Sequence, residues 1–461
     1  THNRVSGHIN EKLTVTFTEQ LSPNAASDKT KTISQSSILN DSQGDQGETN
    51  FFCDTAKASV NLVQNAQQKQ SAEWKDVWLV GKVQIEHTGL TKDSDFSAKG
   101  NALSAKSGLD AIGDVSLFGD PAEVRLASRR VEGPRIDLRE LEPSVNGPGS
   151  IRFVNDRGLN GKPLEKPSVV EIYWTDSMTY SDRTADFIGN IRAVMTNELD
   201  HKVELTCASM KVFFTSDLQM QADSKKNALQ ADTSDSDEGP IERIECNSKV
   251  VMDIYQMKEN IVVSRNHAEF SDLKVNMITG EFYATGSGSS GIVESTHLNS
   301  KTSPSPTPRA VARANTAVAT PTDEFVFVQA RFIGSIEGNY KLQFVQLKQH
   351  VRGVFGPVRQ MGEKIVLDGL NVNELPLNTG SMRCENLSIS QIESSDSQGP
   401  RQFEMVAESN TNDGYSGTHA PCHLESSEIS GDADEIKYDS SKQQFILRAD
   451  KGRQATVSYR Q

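Results

Sequence analysis

Few residues in this chain are equipped for chemistry. Gly286-Ser-Gly-Ser-Ser-Gly291 has the GxGxxG spacing with which a strand-to-helix turn cradles a dinucleotide pyrophosphate. That motif works only where it opens a helix, and here Ile292-Val-Glu-Ser-Thr runs into a Ser/Thr/Pro tract, so a strand-end turn is expected. His419-Ala-Pro-Cys422-His423 gathers three metal-ligand types within five residues, yet it lacks a fourth ligand and a counterpart elsewhere. Asp432 and Asp434 have the chemistry of a general acid and base, but charged residues alternating with apolar ones usually form the wet face of a strand. There is no Gly-x-Ser-x-Gly elbow, Walker loop or HExxH. The expectation is a protein without catalytic residues, metal or cofactor.

These residues would sit on strands. Val170, Ile172 and Trp174 share one parity, Phe187, Ile191 and Ala193 a second, and Val203, Leu205 and Cys207 a third, with short polar turns between them. Side chains alternate faces along a strand, so such a meander must bury one side against something apolar. Composition agrees with an all-β chain: 35% hydrophobic and 6% aromatic residues, with no long helical pattern. At 461 residues the chain holds two to four folding units by the usual size of domains.

The net charge of −14, with basic residues scattered among acidic ones, argues against a nucleic-acid surface. No run of 18 apolar residues is present to cross a bilayer as a helix. Thr1 is not an initiator residue, so any export leader lies outside these residues. The five cysteines, Cys53, Cys207, Cys246, Cys384 and Cys422, are widely spaced and form no CxxC clip. Cys207 and Cys384 occupy one slot of similar strands, and Cys53 and Cys246 another, where small buried residues are expected. A stacked disulfide is the alternative.

The chain repeats itself. Gly189 to Gly353 spans 164 positions, Gly119 to Gly286 spans 167, Cys207 to Cys384 spans 177 and Cys53 to Cys246 spans 193. A period of about 165 residues, each holding two similar halves, fits these spacings when loop lengths vary. Residues 1–19 read as the end of a truncated repeat, 51–165 and 166–298 as β-jellyroll units, and 324–461 as a unit truncated at its end. Polar stretches at 20–50 and 219–240 read as disordered insertions, and 299–323 as a Ser/Thr/Pro linker or loop. Copies of this kind stack end to end and share a continuous apolar interior.

In a closed sandwich the inward residues are simply core, whereas in an open V-shaped jellyroll they line a groove for acyl chains. Parity alone leaves both open. The run Met178-Thr-Tyr-Ser-Asp, then Ala185-Asp-Phe-Ile-Gly-Asn-Ile191, then Leu205-Thr-Cys-Ala-Ser-Met-Lys-Val212, resembles the organic-solvent-tolerance (OstA/LptA-like) family. Ala433-Asp-Glu-Ile-Lys-Tyr-Asp-Ser-Ser-Lys-Gln-Gln-Phe-Ile-Leu447 is similar to the same repeat. The likeness implies an elongated β-jellyroll or β-solenoid in the periplasm of a Gram-negative-type bacterium, passing lipopolysaccharide and stacking with similar domains or with itself. Departures are the long acidic insertions, Cys at 207 and 384 where the family has Ala, and about three double units in one chain.

Three functions follow as expectations. The first is a non-enzymatic lipid-binding bridge with a groove formed by Ile172, Trp174, Phe187, Ile191, Leu205, Met210, Val212, Phe214, Phe325, Phe327, Phe344, Val351 and Phe355. The second is a structural or adhesive envelope protein with a dry core. The third is a β-helix enzyme acting on polysaccharide, which would need carboxylates assembled from distant strands.

Overall fold

A computed structural model describes residues 4–8, 16–17, 31–32, 48–64, 70–88, 96–107, 112–126, 129–139, 142–157, 163–196, 201–215, 241–258, 261–286, 290–298, 325–366, 378–392, 402–409, 420–427, 429–442, 444–450 and 452–459. Among them the chain is all-β, and the strand pairs are antiparallel, as the alternating pattern predicts. The expected insertion at 219–240 and linker at 299–323 lie outside the described residues, as does most of 20–50. Within 20–50, Lys31–Thr32 pairs with Thr16–Phe17, and Glu48–Phe52 pairs with the end of Gln70–Thr88.

Two compact units divide the chain. The first comprises residues 1–156, 169–193 and 209–241, and the second residues 157–168, 194–208 and 242–461. In the first unit a meander runs through Thr55–Gln64, Gln70–Thr88, Phe96–Ser107, Ile112–Leu126 and Arg129–Arg139, each strand paired with the next. Arg129–Arg139 then pairs with two short strands, Glu142–Asn146 and Gly149–Arg157, so the ladder splits into two rails. The first rail continues through Ser177–Ser181 to Thr184–Thr196, which also takes up Pro163–Trp174.

The second unit repeats this design. Ile241–Lys258 pairs with Ile261–Asn276, which splits to Glu281–Thr285 and Gly291–Leu298. These continue to Ser335–Asn339 and Phe325–Phe332, and both rails rejoin on Phe344–Val358. Gly380–Ile392 follows and splits again, to Gln402–Glu408 and Cys422–Ser426. A strand that serves two rails must bend between them.

The bends share one construction. Register shifts by an extra residue occur between Val80 and Val83, between Asn247 and Val250, and between Lys348 and Val351. Each holds two consecutive residues of positive φ: Gly81 and Lys82, Ser248 and Lys249, Gln349 and His350. Gly189 and Asn190 form a fourth pair. An inserted residue of this type kinks a strand and increases its twist. A buried side chain stands two positions before each pair and one after it: Leu79 and Val83, Phe187 and Ile191, Cys246 and Val250, Leu347 and Val351. The corner therefore turns the strand while keeping both flanking side chains inside. Backbone hydrogen bonds from Asp54 N to Gly81 O, Thr175 N to Gly189 O and Ile333 N to Gln349 O, all at 2.7–2.9 Å, fasten three of the four.

Candidate functional site

The inward faces are where the sequence places its candidate residues. Ile172, Trp174, Phe187, Ile191, Met210, Val212 and Phe214 belong to the first unit, and all seven are buried. Met178 stands opposite both Val145 and Phe187, so three neighbouring strands present one apolar row. Trp174 and Phe187 pack with ring centroids 5.3 Å apart and planes tilted by 50°, and Tyr180 and Phe214 meet at 6.1 Å. Tilted arrangements at such distances are favoured by the ring quadrupoles. The Trp174 indole N–H donates to Gly147 O at 3.1 Å, so its one polar atom is satisfied.

In the second unit Phe327 and Val351 are buried, Leu205 and Phe325 are half-buried, and Phe344 and Phe355 are 37% and 36% exposed. Phe327, Val354 and Val358 form a cluster against which Phe325 and Ile365 pack. Phe270 and Phe332 meet at 6.5 Å. Phe355 lies outside this cluster and covers Gly380, the residue directly across the ladder. Phe332 covers Gly291 in the same way, and Trp174 covers Gly149. An aromatic ring laid over a strand glycine supplies the packing that the glycine lacks.

Polar groups inside the second unit form a separate cluster. Glu294, itself buried, accepts from Gln329 Nε2 at 2.7 Å and pairs with Lys364 at 2.7 Å. Nearby, Asp253 accepts from Arg265 at 2.8 Å and meets His267 Nδ1 at 3.0 Å, while His267 Nε2 meets Glu269 at 3.1 Å. Burial raises the Asp253 carboxyl, but the hydrogen bonds from Arg265 and His267 outweigh it and hold the group below its usual range. The same imidazole between two carboxylates recurs at His423, with Asp432 at 2.8 Å and Glu425 at 3.1 Å. These contacts tie the carboxylates to partners on neighbouring strands, and sequence reading missed them because cross-strand partners lie 9 to 14 positions apart. The pairs Asp253 with His267 and His423 with Asp432 are direct cross-strand neighbours.

The remaining sequence candidates resolve simply. Gly286 directly follows the strand Glu281–Thr285 and Gly291 begins the next, Gly291–Leu298; residues 287–289 lie outside the described residues. Cys422 and His423 are successive strand residues and face opposite sides, so they do not converge on one ion. His419 lies outside the described residues. Among the described residues no group of three His, Cys, Asp or Glu side chains is placed to hold a metal. Asp434 accepts from Arg453 at 3.0 Å and from Asp450 N at 2.7 Å, which fixes a turn.

Comparison with protein-family models, with curated proteins and with solved structures finds no match.

Proposed function

We propose that the chain is a non-enzymatic β-repeat protein of a cell envelope, a structural or adhesive framework of jellyroll-like units with filled interiors. The observation that carries this reading is the burial of Trp174, Met178, Phe187, Ile191, Met210 and Val212 to 1–2% exposure. These are positions at which an open conduit for acyl chains would need free apolar surface. Each buried CH₂ contributes about 0.8 kcal/mol, and side chains that already bury one another have little left to gain from a lipid. The two-rail ladders and their repeated corners suit a framework that extends by adding copies.

A second reading is favoured by the apolar surface left at Leu205, Phe325, Phe344 and Phe355, together with the family likeness of the motifs. It is a periplasmic bridge that binds lipid or lipopolysaccharide and stacks with similar β-jellyroll domains. Extraction of the purified chain followed by mass spectrometry separates the two. The framework reading expects no lipid in proportion to protein, and photo-crosslinkers at Ile191 and Phe327 that capture no lipid in cells. Acyl lipid recovered at one or more molecules per chain, crosslinked at those positions, would overturn it in favour of the bridge.

A further inference from the structure

Four of the five cysteines come together in two pairs. The register between Gly380–Ile392 and Cys422–Ser426 runs from Gly380 opposite Ser426 to Arg383 opposite His423. The next position on each strand is Cys384 and Cys422, one step beyond the last paired residues, and the two free thiols lie close enough to influence each other. In the other pair the thiols of Cys207 and Cys246 lie within hydrogen-bonding reach. All four residues are buried, and the chain between partners is nearly the same length, 39 positions in one pair and 38 in the other. If the register that ends at Arg383 and His423 runs one step further, Cys384 and Cys422 stand directly opposite each other, where the Cα atoms of an antiparallel ladder are about 4.5–5.5 Å apart, within the range that a disulfide spans. The second pair stands where the internal repeat would carry the first, since the 177 positions from Cys207 to Cys384 take Cys246 to within one residue of Cys422.

We propose that Cys207 with Cys246, and Cys384 with Cys422, are redox pairs that close as two cross-strand disulfides when the chain folds under oxidising conditions, leaving Cys53 as the free thiol. In each closure two thiols give up two protons and two electrons as the S–S bond forms. The electrons pass by thiol–disulfide exchange to an incoming disulfide, such as oxidised glutathione, which leaves as two thiols.

The timing follows from the surroundings. The contact with Cys207 and then burial push the Cys246 thiol well up, burial and then the neighbouring Cys422 do the same for Cys384, and Cys422 is pushed up to about 12, chiefly by burial. A thiolate is the attacking species, so reduced pairs enclosed in the finished fold exchange slowly. Closure belongs to the folding step, while the strands are still accessible. The pairing is independent of what the interior carries.

The test uses the full chain, folded with a mixture of reduced and oxidised glutathione and in parallel with a reductant. Remaining thiols are alkylated, and the protein is digested without reduction for mass spectrometry, with far-ultraviolet circular dichroism on the same samples. Two crosslinked peptide pairs, 207 with 246 and 384 with 422, and an alkylated Cys53 are expected. Cys384→Ser should remove one crosslink and release Cys422 for alkylation while leaving the other pair linked. Adding a reductant should lower the melting temperature of the oxidised chain and leave that of a Cys207→Ser/Cys384→Ser variant unchanged. Five alkylated cysteines in a folded, oxidised sample, crosslinks to other partners, or a chain that folds only when reduced overturns the proposal.

Discussion

Trp174 lies over Gly149 so closely that a Cβ added to the glycine would fall 2.5 Å from the indole ring. The ring thereby covers a strand position with no side chain of its own, and its N–H reaches Gly147 O on the same turn. Gly149→Ala would drive a methyl group into the indole and into the Glu132 carbonyl. Overpacking of this kind costs about 1–3 kcal/mol. The unfolding free energy should fall by that amount, lowering the urea midpoint in proportion, and the Trp emission should shift as the ring is displaced. An unchanged midpoint would mean that the ring moves away freely.

The corners make opposite predictions for glycine gained and glycine lost. Gln349 and His350 hold positive φ with full side chains, a conformation that costs a non-glycine residue about 1–2 kcal/mol. Gln349→Gly should therefore stabilise the chain by about 1 kcal/mol in thermal unfolding, despite the added freedom of the unfolded state. Gly189→Ala should destabilise it, since the backbone is left-handed there and the new Cβ would strike Asp176. If both substitutions changed the midpoint in the same direction, the corner explanation would fail.

These corners also show how far the sequence could be read. Leu79-Val-Gly-Lys-Val83 and Phe187-Ile-Gly-Asn-Ile191 announce their bends with a glycine between apolar residues. Cys246-Asn-Ser-Lys-Val250 and Leu347-Lys-Gln-His-Val351 build the same bend from residues with little preference for positive φ, so tertiary pairing imposes it there. That is why sequence comparison matched Gly189 with Gly353, whereas the structural counterpart is Gln349. The consequence appears at Phe355, which sits on the outer parity over Gly380 while Val354 and Val358 point inward. The parity of Val203, Leu205 and Cys207 likewise gives way to that of Met210, Val212 and Phe214 further along one strand. Alternation was legible over short spans, but a single extra residue reverses every face beyond it. The all-β class needed only the short spans. The His267 and His423 clusters were illegible because each depends on which strand pairs with which.

Asp253 carries a pH dependence with a defined sign. Its folded carboxyl titrates below its unfolded value because Arg265 and His267 donate to it. As pH falls the unfolded chain takes up the proton first, so the stabilisation is fully present above the unfolded range and is lost as pH drops through the folded value. On the acid side the stability gap between the wild type and Asp253→Asn should shrink as pH falls below about 4. Acid titrations of the two proteins, followed by circular dichroism, measure it. A gap that widened between about pH 4 and pH 2 would contradict the assigned hydrogen bonds.

Phe187 tests whether the interior is a core or a conduit. Its ring is buried, touches Trp174 and stands opposite Met178, so Phe187→Ala in a filled interior removes contacts that neighbours cannot replace. Such truncations cost about 3–5 kcal/mol, through lost transfer energy and the cavity left behind. If acyl chains normally share this space, they can flow into the vacated volume, and the loss should be recovered when the variant is unfolded in the presence of phospholipid vesicles. The framework reading expects the full loss with vesicles or without them. The bridge reading expects vesicles to restore most of it, because ligand that binds only the folded state stabilises that state in proportion to its concentration. Running the same pair of measurements on Phe355→Ala supplies the internal comparison. That residue is exposed over Gly380 and should cost far less than Phe187→Ala under either condition.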